Sequence, residues 1–279
     1  LKAHVLYHFL AFDLAQGTLD EERLREYLRL PRRGAHVVPQ YRDRFERREQ
    51  VDPAQEYATG LAPIGDDEPL LRACLERVFA NSERLEPYAE FLDADWLRGV
   101  LAETRLLNGD PDAARWSAML GERAHVEALT QRVELDFLPG ARRRYTASEP
   151  VTLEVDVKNV PTLLVKVFAL DAFRYHVAND EDVDESLELD GLVPNEEQTF
   201  RYDEPPLRRV RRRFELPLLS KPGTYVVELV GNGLRSRALI HKGSLHHVET
   251  PGAAGHVFTV FDEAGAKLAD ASVWVGGRE

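Results

Sequence analysis

Two histidines stand one helical turn apart in His4-Val5-Leu6-Tyr7-His8, the spacing at which one helix face presents two zinc ligands. The residue after the first histidine is Val5, where a zinc-protease helix carries the glutamate that activates water. The hydrolytic form of that site is therefore excluded, and the sequence names no third ligand. A second group, His241, His246, His247 and His256, is close along the chain. Adjacent strand residues point to opposite faces, so His246 and His247 do not share one site without a bulge. Asp180, Asp182 and Asp184 alternate as calcium-loop ligands do, but the sixth and twelfth positions hold Glu185 and Gly191 where Gly and Glu are needed. That stretch reads as a solvated loop tip. Arg208 to Arg213 has the composition of a nucleic-acid or heparin patch, yet it leads into Phe214-Glu215-Leu216 at strand spacing. Charge on an edge strand discourages aggregation, so a solvated strand face is the preferred reading. The single cysteine, Cys74, rules out an internal disulfide and a cysteine metal cage. No phosphate-binding glycine loop, nucleophile elbow or triad spacing is present. Accordingly no catalytic, cofactor-binding or metal-ligating residue is assigned, and the chain is expected not to be an enzyme.

What would position these residues is bounded by composition. A chain of 279 residues, 43% apolar and 30% charged, has room for two ordinary domains and enough apolar material to fold them. The net charge is −12, carried evenly: residues 1–125 hold 23 acidic and 17 basic side chains, residues 126–279 hold 25 and 19. Neither half is a basic surface, which argues against a nucleic-acid partner. No apolar run is long enough to span a bilayer. The opening stretch lacks the basic leader, apolar segment and small-residue cleavage site of a signal peptide. It begins with Leu rather than Met, which suggests a piece of a longer polypeptide.

The hydrophobic period changes near residue 128. Before it, apolar residues recur at helical spacing. Val5 to Phe12 forms a helix closed by Gly17, and Thr18 with Glu21 is a capping box opening Leu19 to Leu30. Residues 31–66 read as loop with one short helix near Arg42 to Glu49. Pro69 opens a helix whose face is Leu70, Leu71, Cys74, Leu75, Val78 and Phe79. Further short helices are expected across Pro87 to Leu101, and a last one over Asp112 to Leu129 after the Asn108-Gly109-Asp110-Pro111 break. From Val133 the period is two, with strands near 133–137, 151–157, 163–167, 199–202, 210–216, 224–230 and 234–240. Gly231-Asn232-Gly233 closes a tight hairpin between the last two. Seven strands with no helix between them predict an antiparallel Ig-like β-sandwich. Val257 to Asp262 and Lys267 to Val275 read as a final hairpin, carrying Phe258, Val260, Phe261 and Trp274. The fold class is thus α+β: helical domain 1–128, sandwich 129–248, and 249–279 as the first strands of a further sandwich domain that this piece cuts short.

Gly223-Thr224-Tyr225-Val226-Val227, followed by Gly265-Ala266-Lys267-Leu268-Ala269-Asp270-Ala271-Ser272-Val273, resembles the macroglobulin-like domains of the alpha-2-macroglobulin family. The likeness covers roughly residues 130–279 and does not extend to the helical half. It implies a structural, non-catalytic segment of a large protein, in the family's role a protease-trapping inhibitor, with other domains of the parent chain and a protease as partners. It also implies an extracytoplasmic setting, secreted, periplasmic or in the cell envelope. The family's thioester setting, Cys-x-Glu-Gln, is absent: Cys74 is followed by Leu75-Glu76-Arg77. Two alternatives stand beside it. One is a cell-surface or adhesion-type binding module, which Ig-like sandwiches serve equally well. The other is a hydrolase with a site between the helical and β domains.

Overall fold

A computed structural model describes residues 1–46, 50–138, 141–184, 186–253 and 255–274. The fold is α+β, with a helical N-terminal region followed by an Ig-like sandwich, arranged as two compact units. The first is built chiefly from Leu1–Glu134 with Glu204–Val210, the second from Ala141–Asp203 and Arg211–Glu279.

The helical unit contains α1 (Lys2–Ala15), α2 (Glu21–Leu28), α3 (Pro39–Arg42), α4 (Glu68–Phe79), α5 (Ala94–Leu107), α6 (Ala113–Leu120) and α7 (Arg123–Gln131). Its core gathers Leu10, Leu24, Leu28, Leu71, Cys74, Leu75, Phe79, Leu97, Val100 and Trp116, all fully buried. The α4 face was legible from Pro69 onward, with Val78 only partly buried. Thr18 is not the cap of α2. Its amide and hydroxyl both turn back to the Asp13 carbonyl at the end of α1, and Asp20 caps α2 by accepting from the amides of Glu22 and Arg23. The expected short helices between 87 and 101 resolve into one 14-residue helix, α5, which Asp93 caps. The single helix expected over Asp112 to Leu129 is two, because Gly121 at φ +78° breaks it between α6 and α7. The short helix expected from Arg42 to Glu49 lies earlier: α3 ends at Arg42, Asp43 to Glu46 are not helical, and Arg47 to Glu49 lie outside the described residues.

The second unit is a sandwich. Its five-stranded sheet runs β2 (Arg144–Tyr145), β8 (Leu234–Lys242), β7 (Gly223–Gly231), β4 (Thr162–Leu170) and β5 (Glu196–Arg201) in spatial order. The three-stranded sheet is β1 (Glu134–Phe137), β3 (Thr152–Lys158) and β6 (Arg209–Glu215). Alternation decides which side chains face inward. Leu153, Val155, Val157, Leu163, Val165, Val167, Val227, Leu229, Ala238 and Ile240 are all buried. Gly231 and Leu234 pair across the two-residue loop Asn232-Gly233, whose φ values of +43° and +81° fit a primed hairpin turn. Two features depart from a plain antiparallel sandwich: β2 pairs with β8 in parallel, and a helix, α8 (Ala172–Asn179), interrupts the strands after β4. None of the side chains of α8 is buried, so no apolar periodicity marked it in the sequence.

The closing hairpin is also different. Gly255–Phe261 forms β10, but its partner is the upstream β9 (His246–Gly252), from Gly255↔Gly252 to Phe261↔His246. Downstream only the bridge Phe261↔Lys267 forms, with the Leu268 amide donating to the Val260 carbonyl. The segment expected to be a linker, Gly243 to Pro251, therefore contains most of a strand. Its His-His-Val-Glu-Thr-Pro-Gly sequence hides that, because all seven residues are exposed and no face needs to be apolar. Val275, Gly276 and Gly277 lie outside the described residues.

Candidate interaction surfaces

The residues singled out for possible chemistry are dispersed or locally occupied. On α1, His4 is buried and His8 is partly exposed, with their rings 4.6 Å apart. His4 Nε2 lies 2.9 Å from Thr59 Oγ1, and His8 Nε2 lies 2.9 Å from the Ala62 carbonyl oxygen. Burial, then the neighbouring His8, lower the pKa of His4. The pair thus fixes the 57–62 segment against α1. In the sandwich unit His246, His247 and His256 sit on β9 and β10 opposite Phe261, Val260 and Pro251, respectively. His247 leans on the Phe258 ring, His256 pairs with Glu249, and His241 lies on β8 near Thr224. They form no common site. Asp180 ends α8 in a left-handed conformation, Asp182 lies 3.2 Å from His176 Nδ1, and Asp184 accepts from the amide and hydroxyl of Ser186. Glu185 lies outside the described residues. Among the described residues no group of three or more His, Cys, Asp or Glu is placed to hold a metal ion, and no helix is long and apolar enough to cross a membrane.

Three of the five arginines in the basic run have partners within the protein. Arg209 bridges Glu134 and, at 3.0 Å, Glu76. Burial would depress the Arg209 guanidinium, but its two carboxylates raise it further above its ordinary value. Arg211 makes a bidentate pair with Asp156 at 2.9 and 3.0 Å, and Arg212 lies over the Tyr202 ring. Arg209 and Arg211 are thereby neutralised by carboxylates of this chain. Cys74 is completely buried, and burial with the charge of Asp13 pushes its thiol up to about 12. In the native protein Cys74 should react with a thiol reagent orders of magnitude more slowly than in denaturant, since the thiolate is the nucleophile. Rapid native labelling would show that the α4 face opens.

A polar network in the helical unit gave no sequence signal. Asp67, at the N-terminus of α4, accepts from Tyr27 Oη at 2.9 Å and Arg32 Nη1 at 2.8 Å, and lies 3.1 Å from His36 Nε2. Arg32 and His36 are each 3% exposed and Asp67 is 7% exposed. Burial alone would raise the Asp67 carboxyl; the bond from His36 and the charge of Arg32 hold it at about 2. Arg32 and His36 come from the 31–66 stretch that composition marks as loop, and Asp67 follows it directly. Asp67 occupies the N-cap position of α4, yet its side chain makes no cap bond and turns to Arg32 instead. A pocket of about 350 Å³ nearby is walled by Arg33, Gly34, Ala35, Arg42, Asp43 and Gln50, a polar lining in which Arg42 and Asp43 already pair.

What remains open is surface. Leu1, Val5, Phe9 and Phe12 are exposed on α1, with Phe9 at 51% and Phe12 at 60%. At 100° per residue these four fall within about 80° of one another, opposite the buried Ala3, Leu6 and Leu10. The helix is apolar on two sides: one packs into the unit's core, and on the other the Arg23 guanidinium lies over the Phe9 ring, 5.1 Å from its centre. In the sandwich unit the β9–β10 ribbon exposes Val248 and Val257.

Within the sandwich, Tyr225 stands near the start of β7 and donates its hydroxyl to the Lys221 carbonyl, 2.9 Å away. That is the tyrosine corner of immunoglobulin-like domains, and with the Greek-key sheets it places this unit in the immunoglobulin-like class. Residues 163–243 match the family model of the first immunoglobulin-like domain of AbpF, and residues 1–133 match that of the Actin-binding protein F N-terminal domain. The chain is 31% identical over 281 aligned positions to Actin-binding protein F of Dictyostelium discoideum, spanning 99% of this chain but 12% of the relative's length. No solved structure matches. These findings overturn the alpha-2-macroglobulin resemblance: both halves match one protein of another kind, and the Gly-x-Tyr strand that prompted it is the tyrosine corner. The protease-inhibitor role, the protease partner and the extracytoplasmic setting rested on that resemblance and fall with it; the matched relative is named for binding actin.

Proposed function

We propose that this chain is a non-catalytic binding segment that associates with actin filaments in the cytoplasm, the helical unit making the contact and the immunoglobulin-like unit serving as a spacer and secondary docking element. The likeness to Actin-binding protein F over both units supports the partner. The observation that carries the site is the α1 stripe of Leu1, Val5, Phe9 and Phe12, an apolar face unused by the unit's own core. Large apolar side chains left in water lose about 1.5–3 kcal/mol each relative to burial, so a stripe of four is a strong reason to bind. Because the chain is acidic and the stripe is apolar, association through it should change little with salt. The β9–β10 ribbon and the residues that follow belong, in this reading, with a further sandwich domain, since a lone two-stranded ribbon is marginal in water.

Co-sedimentation with filamentous actin tests the contact. The wild-type chain should pellet with filaments at both low and high salt. Phe9→Asp combined with Phe12→Asp should abolish pelleting while leaving the far-ultraviolet spectrum and melting point intact, because both side chains are exposed. Equal pelleting of the double variant would move the contact away from α1, and no pelleting of the wild type would remove actin as the partner of this segment.

A further inference from the structure

Strand β5 is an edge of the five-stranded sheet, and its hydrogen-bonding phase can be fixed from both sides. Gly231 and Leu234 close a two-residue loop and must be a hydrogen-bonded pair. Counting across β7 and β4 by register makes Leu163, Val165 and Val167 the residues that bond to Phe200, Gln198 and Glu196. The Tyr202 amide donating to Pro161, 3.0 Å away, continues the same phase. Glu197, Thr199 and Arg201 therefore turn their backbone amides and carbonyls away from β4. All three are exposed, whereas Glu196, Gln198 and Phe200 between them are half-buried. At the opposite side of the sheet, β2 covers β8 at His241 and Lys242.

The outer face of this sheet carries a row of alternating charge. Glu197 on β5 stands opposite Lys166 on β4, Lys166 opposite Glu228 on β7, and Glu228 opposite Arg237 on β8. Arg237 pairs with Glu228 at 2.8 Å and also donates to the Leu187 carbonyl, so the chain at Leu187 covers the row at the β7 and β8 end. The acidic end, Glu197, is left at the open edge. Thr199 stands opposite Leu164, and Arg201 opposite Thr162, which supplies no countercharge.

We propose that the free edge of β5 is a docking site for an extended peptide strand of defined pattern. Added antiparallel, the strand places an acidic residue opposite Arg201, a β-branched residue opposite Thr199 and a basic residue opposite Glu197. Alternate residues lie over Phe200 and Gln198 and are apolar. The backbone of Glu197, Thr199 and Arg201 supplies the affinity and the charge row supplies register and direction. The ligand is thus an extended segment reading acidic, apolar, β-branched, apolar, basic. This inference does not depend on the filament contact of α1.

A labelled peptide with the core Glu-Val-Thr-Val-Lys, titrated with the full chain by fluorescence anisotropy, is the test. Saturable binding is expected. Thr199→Pro removes an outward amide without touching the internal ladder and should weaken binding about tenfold. Glu197→Lys should weaken it about threefold and prefer a peptide ending in Glu in place of Lys. The charge exchange keeps the test decisive if the proline variant does not fold. Absence of saturable wild-type binding, or binding indifferent to Glu197→Lys with both peptides, overturns the proposal. So does self-association of the wild type that Thr199→Pro abolishes while no peptide binds, which would give the edge to a second copy.

Discussion

Asp67→Ala should destabilise the helical unit by about 3–5 kcal/mol, because it leaves the guanidinium of Arg32 buried without its partner. The side chain of Arg32 is 3% exposed and that of Asp67 is 10% exposed, so water does not replace the lost carboxylate. Tyr27 loses its acceptor at the same time, and His36 loses the carboxylate 3.1 Å from its Nε2. Replacing both charges, Asp67→Ala with Arg32→Met, should recover much of the loss, since removing a buried pair costs far less than breaking it. Urea unfolding followed by tryptophan fluorescence measures both. A single-variant loss below about 1 kcal/mol would mean that Arg32 finds another acceptor. The same carboxylate sets a pH dependence. Its folded pKa of about 2 is lower than in the unfolded chain, so it stabilises the fold above the unfolded value. That contribution fades as pH falls through the acid range and is gone below about 2. Asp67→Asn should flatten this part of the acid-unfolding curve.

The second large effect is expected at Gly231. A Cβ added there would lie 2.4 Å from Val160 Cγ1 and 3.2 Å from the Thr162 carbonyl oxygen. The first clash is with a side chain that can rotate, the second with backbone that cannot move without disturbing the β4–β7 ladder. Gly231→Ala should cost about 1–3 kcal/mol. Val160→Ala in the same chain should return part of it, giving a favourable coupling in a double-mutant cycle. Simple addition of the two losses would show that the carbonyl contact, and not Val160, sets the penalty.

These two sites differ in how far the sequence announced them. Gly231 belongs to Gly-Asn-Gly between two alternating strands, which reads as a hairpin from its residue types alone. The strands of the sandwich were legible for the same reason: one buried face per strand forces a period of two, as in Leu153-Val155-Val157. The Asp67 network was not legible, because burial of charge is settled by partners remote in sequence: Tyr27 is 40 residues away and Arg32 is 35. The α8 helix and β9 were missed for the opposite reason. Neither buries a face, so neither imposes a period. The exposed stripe on α1 was present in the sequence as a helix apolar on both sides, but only the fold says which side is spent. The family resemblance failed because it rested on a turn motif that many sandwiches share, whereas the matched models cover the helical half as well.

Glu204–Val210 belongs to the helical unit although it is made 70 residues after Glu134. It brings Leu207 to the helical core and Arg209 to Glu76 and Glu134. On a ribosome adding about 5–20 residues per second, the first unit to emerge must wait roughly 4–14 seconds for its last piece. During that interval Glu134 and Glu76 lack the Arg209 cation, and the strands between them and Arg209 are themselves being synthesised. The two units are thus ordered in time: neither can be completed before residue 210 has left the exit tunnel, and the helical unit matures alongside the sandwich rather than ahead of it.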